Sequence, residues 1–267
     1  MHPESEPRGR STRRGRNIRR GAAARLVLLG LVVSAAAAGC VRLGIWQLDR
    51  LSQRRAQNAL IRARTASPTV DVSEVRTLDT TVSHWRRVSI RGVADYDAEL
   101  VHATRSQNGS PGVYLLTPVR PIGGAWGDTS VLLLRGYVQA PDGRTIDWAA
   151  AREADTVAFD AMVTSFSPPR PGNVRMPSAA RAVRVLDRDT LTTLTGRPLA
   201  PFVLLVLGDT VVRDIHKPTR IPPPSLSEGA HESYAYQWFS FALVALVGFV
   251  AFVVTDRRKR VTDASGT

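Results

Sequence analysis

Four rings within eight residues, in the run His231-x-x-Tyr234-x-Tyr236-Gln237-Trp238, are the side chains of this 267-residue chain best suited by type and spacing to do chemistry. An imidazole can ligate a haem iron or hydrogen-bond a lipid headgroup. His231 lies about one helical turn before Tyr234 and two before Gln237 and Trp238, so a helix would set them close together. The same rings also read as an aromatic belt at a membrane surface, which needs no partner.

The rest of the chain is poor in chemistry. His2 lies in a basic tail, and His84, His102 and His216 stand alone without metal-ligand spacing, as ordinary polar or hydrogen-bonded residues. There is no glycine loop ending in Lys-Ser/Thr, no His-Glu-x-x-His and no Gly-x-Ser-x-Gly. Asn108-Gly109-Ser110-Pro111-Gly112 has the composition of a turn, and Asp187 with Asp189 reads as a solvated pair. Cys40 is the single cysteine, which excludes a disulfide framework, a paired-thiol motif and a cysteine metal cluster; inside a helix it is a packing residue. No catalytic residue emerges, and the chain is not expected to be an enzyme.

Two apolar segments position everything else. Ser233 to Thr255 carries no charge between Glu232 and Asp256, enough to cross a bilayer as a helix. Leu26 to Val41 is also uncharged, and Gly21 to Ala24 with a snorkelling Arg25 can lengthen it to a second span. A cleaved signal peptide, or lipoprotein processing at Cys40, is the competing reading of this first segment. Residues 1 to 25 hold eight arginines against Glu4 and Glu6, and residues 256 to 267 hold Arg257, Arg258, Lys259 and Arg260 against Asp256 and Asp263. Both termini are therefore expected in the cytoplasm of a bacterial cell, with the protein a multi-pass resident of the cell membrane. These flanks supply eight of the thirteen net positive charges, so the high pI is a topology signal and no nucleic-acid partner is expected. The expected organisation is a basic tail at 1–21, a span at 22–45, an external domain at 46–232, a span at 233–255 and a basic tail at 256–267. Gly30, Ser34 and Ala38 repeat every four residues, with Ala242, Ala245 and Gly248 as small residues opposite, so the two helices are expected to pack closely.

Between the spans, the first helix should run on through Gln47 to Arg64 and stop at Ser67-Pro68. Strand-like runs follow at Arg86–Val93, Leu100–Arg105, Val113–Arg120, Ser130–Gln139, Val157–Phe166 and Phe202–Leu207. A short helix is expected at Asp187–Leu194, capped by Asp187 or Asp189, and an extended connector at Pro218–Leu226. The fold class is thus a membrane protein of α+β type, with two transmembrane helices flanking a mainly antiparallel β extracytoplasmic domain that is curled or closed.

Set side by side, several segments resemble the Surfeit locus protein 1 family. Leu43-Gly44-Ile45-Trp46-Gln47-Leu48-Asp49-Arg50-Leu51 looks like the segment after its first span, and Trp85-Arg86-Arg87-Val88-Ser89-Ile90-Arg91-Gly92 like its first strand. Gly112 to Pro118 resembles its Gly-Tyr-x-x-x-Thr-Pro element, Leu132 to Val138 its Arg-Gly-aromatic strand, and His231 to Phe239 its closing motif. The Asn that often precedes the closing histidine is Ala230 here. The resemblance implies an assembly factor for haem-copper, aa3-type cytochrome c oxidase that binds haem a transiently. It makes His231 the ligand of the haem iron, with Tyr234 and Trp238 flanking the macrocycle. The implied partners are the oxidase subunits, chiefly the haem-bearing one, the haem a synthesis machinery and membrane lipid. A membrane-anchored scaffold that docks oxidase subunits without touching haem is the alternative. Arg50, Arg91 and Arg135 offer guanidiniums for haem propionates, although exposed ion pairs are their default; Gly92, Gly112 and Gly136 read as structural.

Overall fold

The computed structural model describes residues 11–124, 126–168, 175–176 and 179–265. The start of the expected basic tail, with His2, and the last two residues of the C-terminal tail lie outside these. In chain order the elements are α1 (Ser11–Ala66), β1 (Val70–Asp71), α2 (Val72–Val75), α3 (Thr80–Ser83), β2 (Arg87–Ala94), β3 (Leu100–Gln107) and β4 (Ser110–Pro121). Then come β5 (Ser130–Gln139), β6 (Thr156–Thr164), β7 (Arg175–Met176), β8 (Ala179–Val183), α4 (Arg188–Thr195), β9 (Leu199–Val206) and α5 (His231–Ser265). The chain divides into two compact units: residues 59–225, and the residues up to Asn58 together with those from Leu226 onward.

The β unit is a five-stranded barrel with additions. β2 pairs with β6, β6 with β9, β9 with β5, β5 with β4, and β4 returns to β2 through Gly92↔Pro121 and Ala94↔Val119. Closing the ring removes the edges that a five-stranded sheet would expose. Most of the pairings are antiparallel, as the short runs and turns imply, but the β5–β9 seam is parallel. A side chain on Gly92 would strike Val119 and the Arg120 carbonyl, so this glycine permits the closure. Asn108 and Gly109 both have positive φ and link the paired residues Gln107 and Ser110. They form a two-residue hairpin turn, and Ser110, Pro111 and Gly112 already belong to β4.

The period of two decides the core. Val131 and Leu133 of β5 and Phe202, Leu204 and Val206 of β9 point into one cluster with Val88, Ile90 and Val119. Their neighbours Leu132 and Val203 point the other way, towards Leu191 of α4. Asp187 caps α4 by accepting a hydrogen bond from the Thr190 amide at 2.9 Å, and Gly196 ends it in a left-handed conformation.

Histidines 84 and 102 are structural. His84 Nδ1 lies 2.9 Å from the Ser165 hydroxyl. His102 is buried, its Nε2 2.7 Å from Arg105 Nη2 and 3.0 Å from the Arg184 carbonyl, to which Arg105 Nη2 also donates. Burial, then the Arg105 charge, push the His102 pKa down to about 4. The unfolded chain takes up this proton below about pH 6.5 while the fold refuses it until about pH 4, so stability falls as pH drops through that window. Urea unfolding of the detergent-solubilised protein should show His102 costing about 2–3 kcal/mol between pH 7 and 4.5. His102→Gln should remove that component; an unchanged pH profile would refute the assignment.

Candidate functional site

The sequence-derived site residues His231, Tyr234 and Trp238 all lie on α5, in the helical unit that also holds most of α1. α1 and α5 contain segments long and apolar enough to cross a membrane, within Ala23–Ala66 and His231–Thr262. They run antiparallel along a line that repeats every seven residues. Gly30, Ala37, Gly44 and Leu51 lie on it, with Val33, Cys40 and Gln47 partly buried between them. Across it, Ala235 and Ala242 are buried. A repeat of seven keeps one helix facing the other as the two coil left-handed.

This corrects the four-residue stripe read from the sequence. Ser34 and Ala38 are exposed, and a side chain at Gly248 would meet nothing. At Gly44, by contrast, a Cβ would lie 2.5–2.9 Å from atoms of the Phe239 ring, and at Gly30 it would lie 3.0 Å from Phe249. Gly44→Leu should therefore loosen the helix pair by about 1–3 kcal/mol. After proteolysis of the intervening unit, the two helical fragments of wild type should co-elute in mild detergent and those of Gly44→Leu should separate. Gly248→Leu is the control that should behave as wild type.

His231 is the first residue of α5 and is half-buried. Its Nδ1 lies 2.8 Å from Gln47 Oε1, 184 positions away in sequence. An amide oxygen accepts, so Nδ1 donates, and no other hydrogen bond to the ring forms among the described residues. Contacts further along α1 anchor the chain on both sides of His231. Arg55 pairs with Glu228 at 2.9 Å and Glu232 at 3.5 Å, and Asn58 donates to the Leu226 carbonyl at 2.8 Å.

Tyr234 and Trp238 follow at helical spacings of three and seven and share the His231 face of α5. Tyr234 is 51% exposed, while Trp238 is partly buried and packs edge-on against Phe241 at 5.9 Å. Ala230 immediately precedes the helix, where an Asn side chain would cap free amides. The departure at Ala230 therefore removes a helix cap and leaves the ring contacts of His231 untouched. Trp46, beside Gln47, is 43% exposed with the Arg50 guanidinium over its face at 5.5 Å.

Of the three arginines weighed for propionates, Arg91 is exposed, Arg50 is occupied by Trp46 and Gln53, and Arg135 is neither exposed nor free. Arg135 is the extra residue of a β-bulge, because Leu115 pairs with Gly136 and Leu116 with Leu134. Its guanidinium bonds Glu99 at 2.6 Å, Glu153 at 2.8 Å, the Ala151 carbonyl at 2.8 Å and the Thr117 hydroxyl at 3.1 Å. Thr117 in turn donates to Glu99, and Arg220 holds Glu153 at 2.7 Å. Burial alone would raise the Glu153 pKa, but the hydrogen bonds and charges of Arg220 and Arg135 outweigh it and leave it lowered. Two positive and two negative side chains thus neutralise one another inside the β unit.

Sequence reading did not single out Gln47, Glu99 or Glu153. Gln47 carried one available signal, its place in the segment following the first span, directly after Trp46.

Comparison with known proteins agrees in extent with the fold. The model of the SURF1 family matches residues 34–243. An uncharacterized SURF1-like protein of Mycobacterium tuberculosis is 26% identical over 249 residues, covering 90% of this chain and 87% of that protein. A SURF1-like protein of Rickettsia conorii is 23% identical over 216 residues, covering 79% of this chain and 85% of its own length.

Proposed function

The chain belongs to the SURF1 family, and from that premise we propose that it is a membrane-anchored assembly factor, not an enzyme, for a haem-copper, aa3-type cytochrome c oxidase. It binds haem a transiently and hands it to the haem-bearing subunit. Both termini lie in the bacterial cytoplasm, and the β unit lies outside the cell membrane.

The observation that carries the haem reading is the His231–Gln47 hydrogen bond. It ties up Nδ1 and leaves Nε2 without a hydrogen-bond partner among the described residues, on the helix face that also carries Tyr234 and Trp238. Among the described residues no three His, Cys, Asp or Glu side chains gather to hold a bare ion. The family reading makes the metal a haem iron, which would bring a macrocycle of its own and ask only one imidazole of the protein. Nε2 of His231 would hold the group, and its iron would supply the Lewis-acid centre for that nitrogen. A single half-buried histidine suits release better than a closed two-ligand site, and Tyr234 and Trp238 offer apolar faces with polar tips at the interface. Arg135 is left out of the haem role because its donors are engaged inside the β unit.

The test is genetic and spectroscopic. Deleting the chain from its host should lower the a-type haem absorbance and oxidase activity of the membranes, and the wild-type chain should restore both. Unchanged a-type absorbance in the deletion strain would remove the assembly role altogether.

A further inference from the structure

We propose that Gln47 is the positioning residue of His231: its side-chain carbonyl holds the imidazole in the tautomer protonated at Nδ1 and so presents the Nε2 lone pair to an iron. The inference rests on His231 being the iron ligand.

Either ring nitrogen of a neutral imidazole can carry the proton, and only the bare one can ligate. With Gln47 Oε1 at 2.8 Å from Nδ1, the proton is assigned to that side. The acceptor belongs to the seam between the two helices. Gln47 is partly buried between Gly44 and Leu51 of the seven-residue line, and the Phe239 ring packs against Gly44 about one turn away. On the donor side, Arg55 pairs with Glu228 before His231 and with Glu232 after it.

The chemical type of the acceptor matters. A carboxylate in this place would draw the Nδ1 proton strongly and make Nε2 a stronger base, binding iron more tightly. A neutral amide orients the ring with a smaller gain in basicity, which suits a ligand that must let go. Gln47 then sets the balance between capture and release.

The experiment uses the full chain in detergent. In haem-free protein labelled with nitrogen-15 at histidine, the His231 signals are identified by their absence in His231→Ala. Wild type should show the Nδ1-protonated form, and Gln47→Leu should lose that preference. Titrated with haem a, Gln47→Leu should bind about 10- to 100-fold more weakly than wild type. Gln47→Glu should restore binding, with a reduction potential below that of wild type. An Nε2-protonated ring in wild type, which is what the reversed amide would give, overturns the proposal. So does a tautomer unchanged by Gln47→Leu. Because the tautomer is read without haem, expected tautomers in a protein that binds none would refute His231 as iron ligand while upholding the bond.

Discussion

Arg135→Met should destabilise the β unit by about 3–5 kcal/mol in urea unfolding, the cost of breaking a buried ion pair from one side. Arg135 and Glu99 have side chains only 1% and 2% exposed, so no water stands ready to replace the guanidinium. Glu153 would keep Arg220, but among the described residues the Glu99 carboxylate would be left with the Thr117 hydroxyl alone. The loss compares with deleting one or two large core side chains at about 1.5–3 kcal/mol each. Arg135→Lys should fall in between, because an ammonium keeps the charge but cannot fork to Glu99, Glu153, Ala151 and Thr117 together. Adding Glu99→Leu to Arg135→Met should recover part of the loss, since the stranded carboxylate goes with its partner. A loss below about 1 kcal/mol would mean that the network is dispensable.

His231→Ala should have the largest functional effect. In a deletion strain carrying this variant, the a-type haem absorbance of the membranes should stay more than about tenfold below the wild-type level, a larger effect than loss of an outer partner of a metal ligand. The variant should still fold and reach the membrane, because His231 lies at the start of α5 and outside the β unit. Normal amounts of protein with absent a-type haem would separate the ligand role from a folding defect. A docking scaffold that never touches haem predicts full restoration by the same variant.

Much of the fold was legible from local pattern. The runs at Arg86–Val93 and Ser130–Gln139 match β2 and β5 within a residue, because β-branched and aromatic residues were bounded there by turn signals. The Asp187 cap and the stop after Ala66 likewise follow from single residues. β1 and β7 were not legible, since two-residue strands have no period to detect. Nor was the parallel β5–β9 seam, which joins strands separated by β6, β7, β8 and α4.

The site was half legible. His231, Tyr234 and Trp238 stood out by type and spacing, whereas Gln47 acquires its meaning only from a contact 184 positions away. Arg135 looked like a candidate for the surface because charge is rarely buried, and only the bulge in β5 with Glu99 and Glu153 around it reverses that expectation. The small-residue stripe failed for a related reason. Gly30 belongs to a four-residue and to a seven-residue series, and the partner helix selects the second.

The most direct test of the central claim is the haem a content and visible spectrum of the detergent-purified full chain. It should be co-expressed with haem a synthesis, wild type and His231→Ala in parallel. The account predicts haem a bound to wild type and lost from the variant. Haem in neither protein, or equal haem in both, would contradict it.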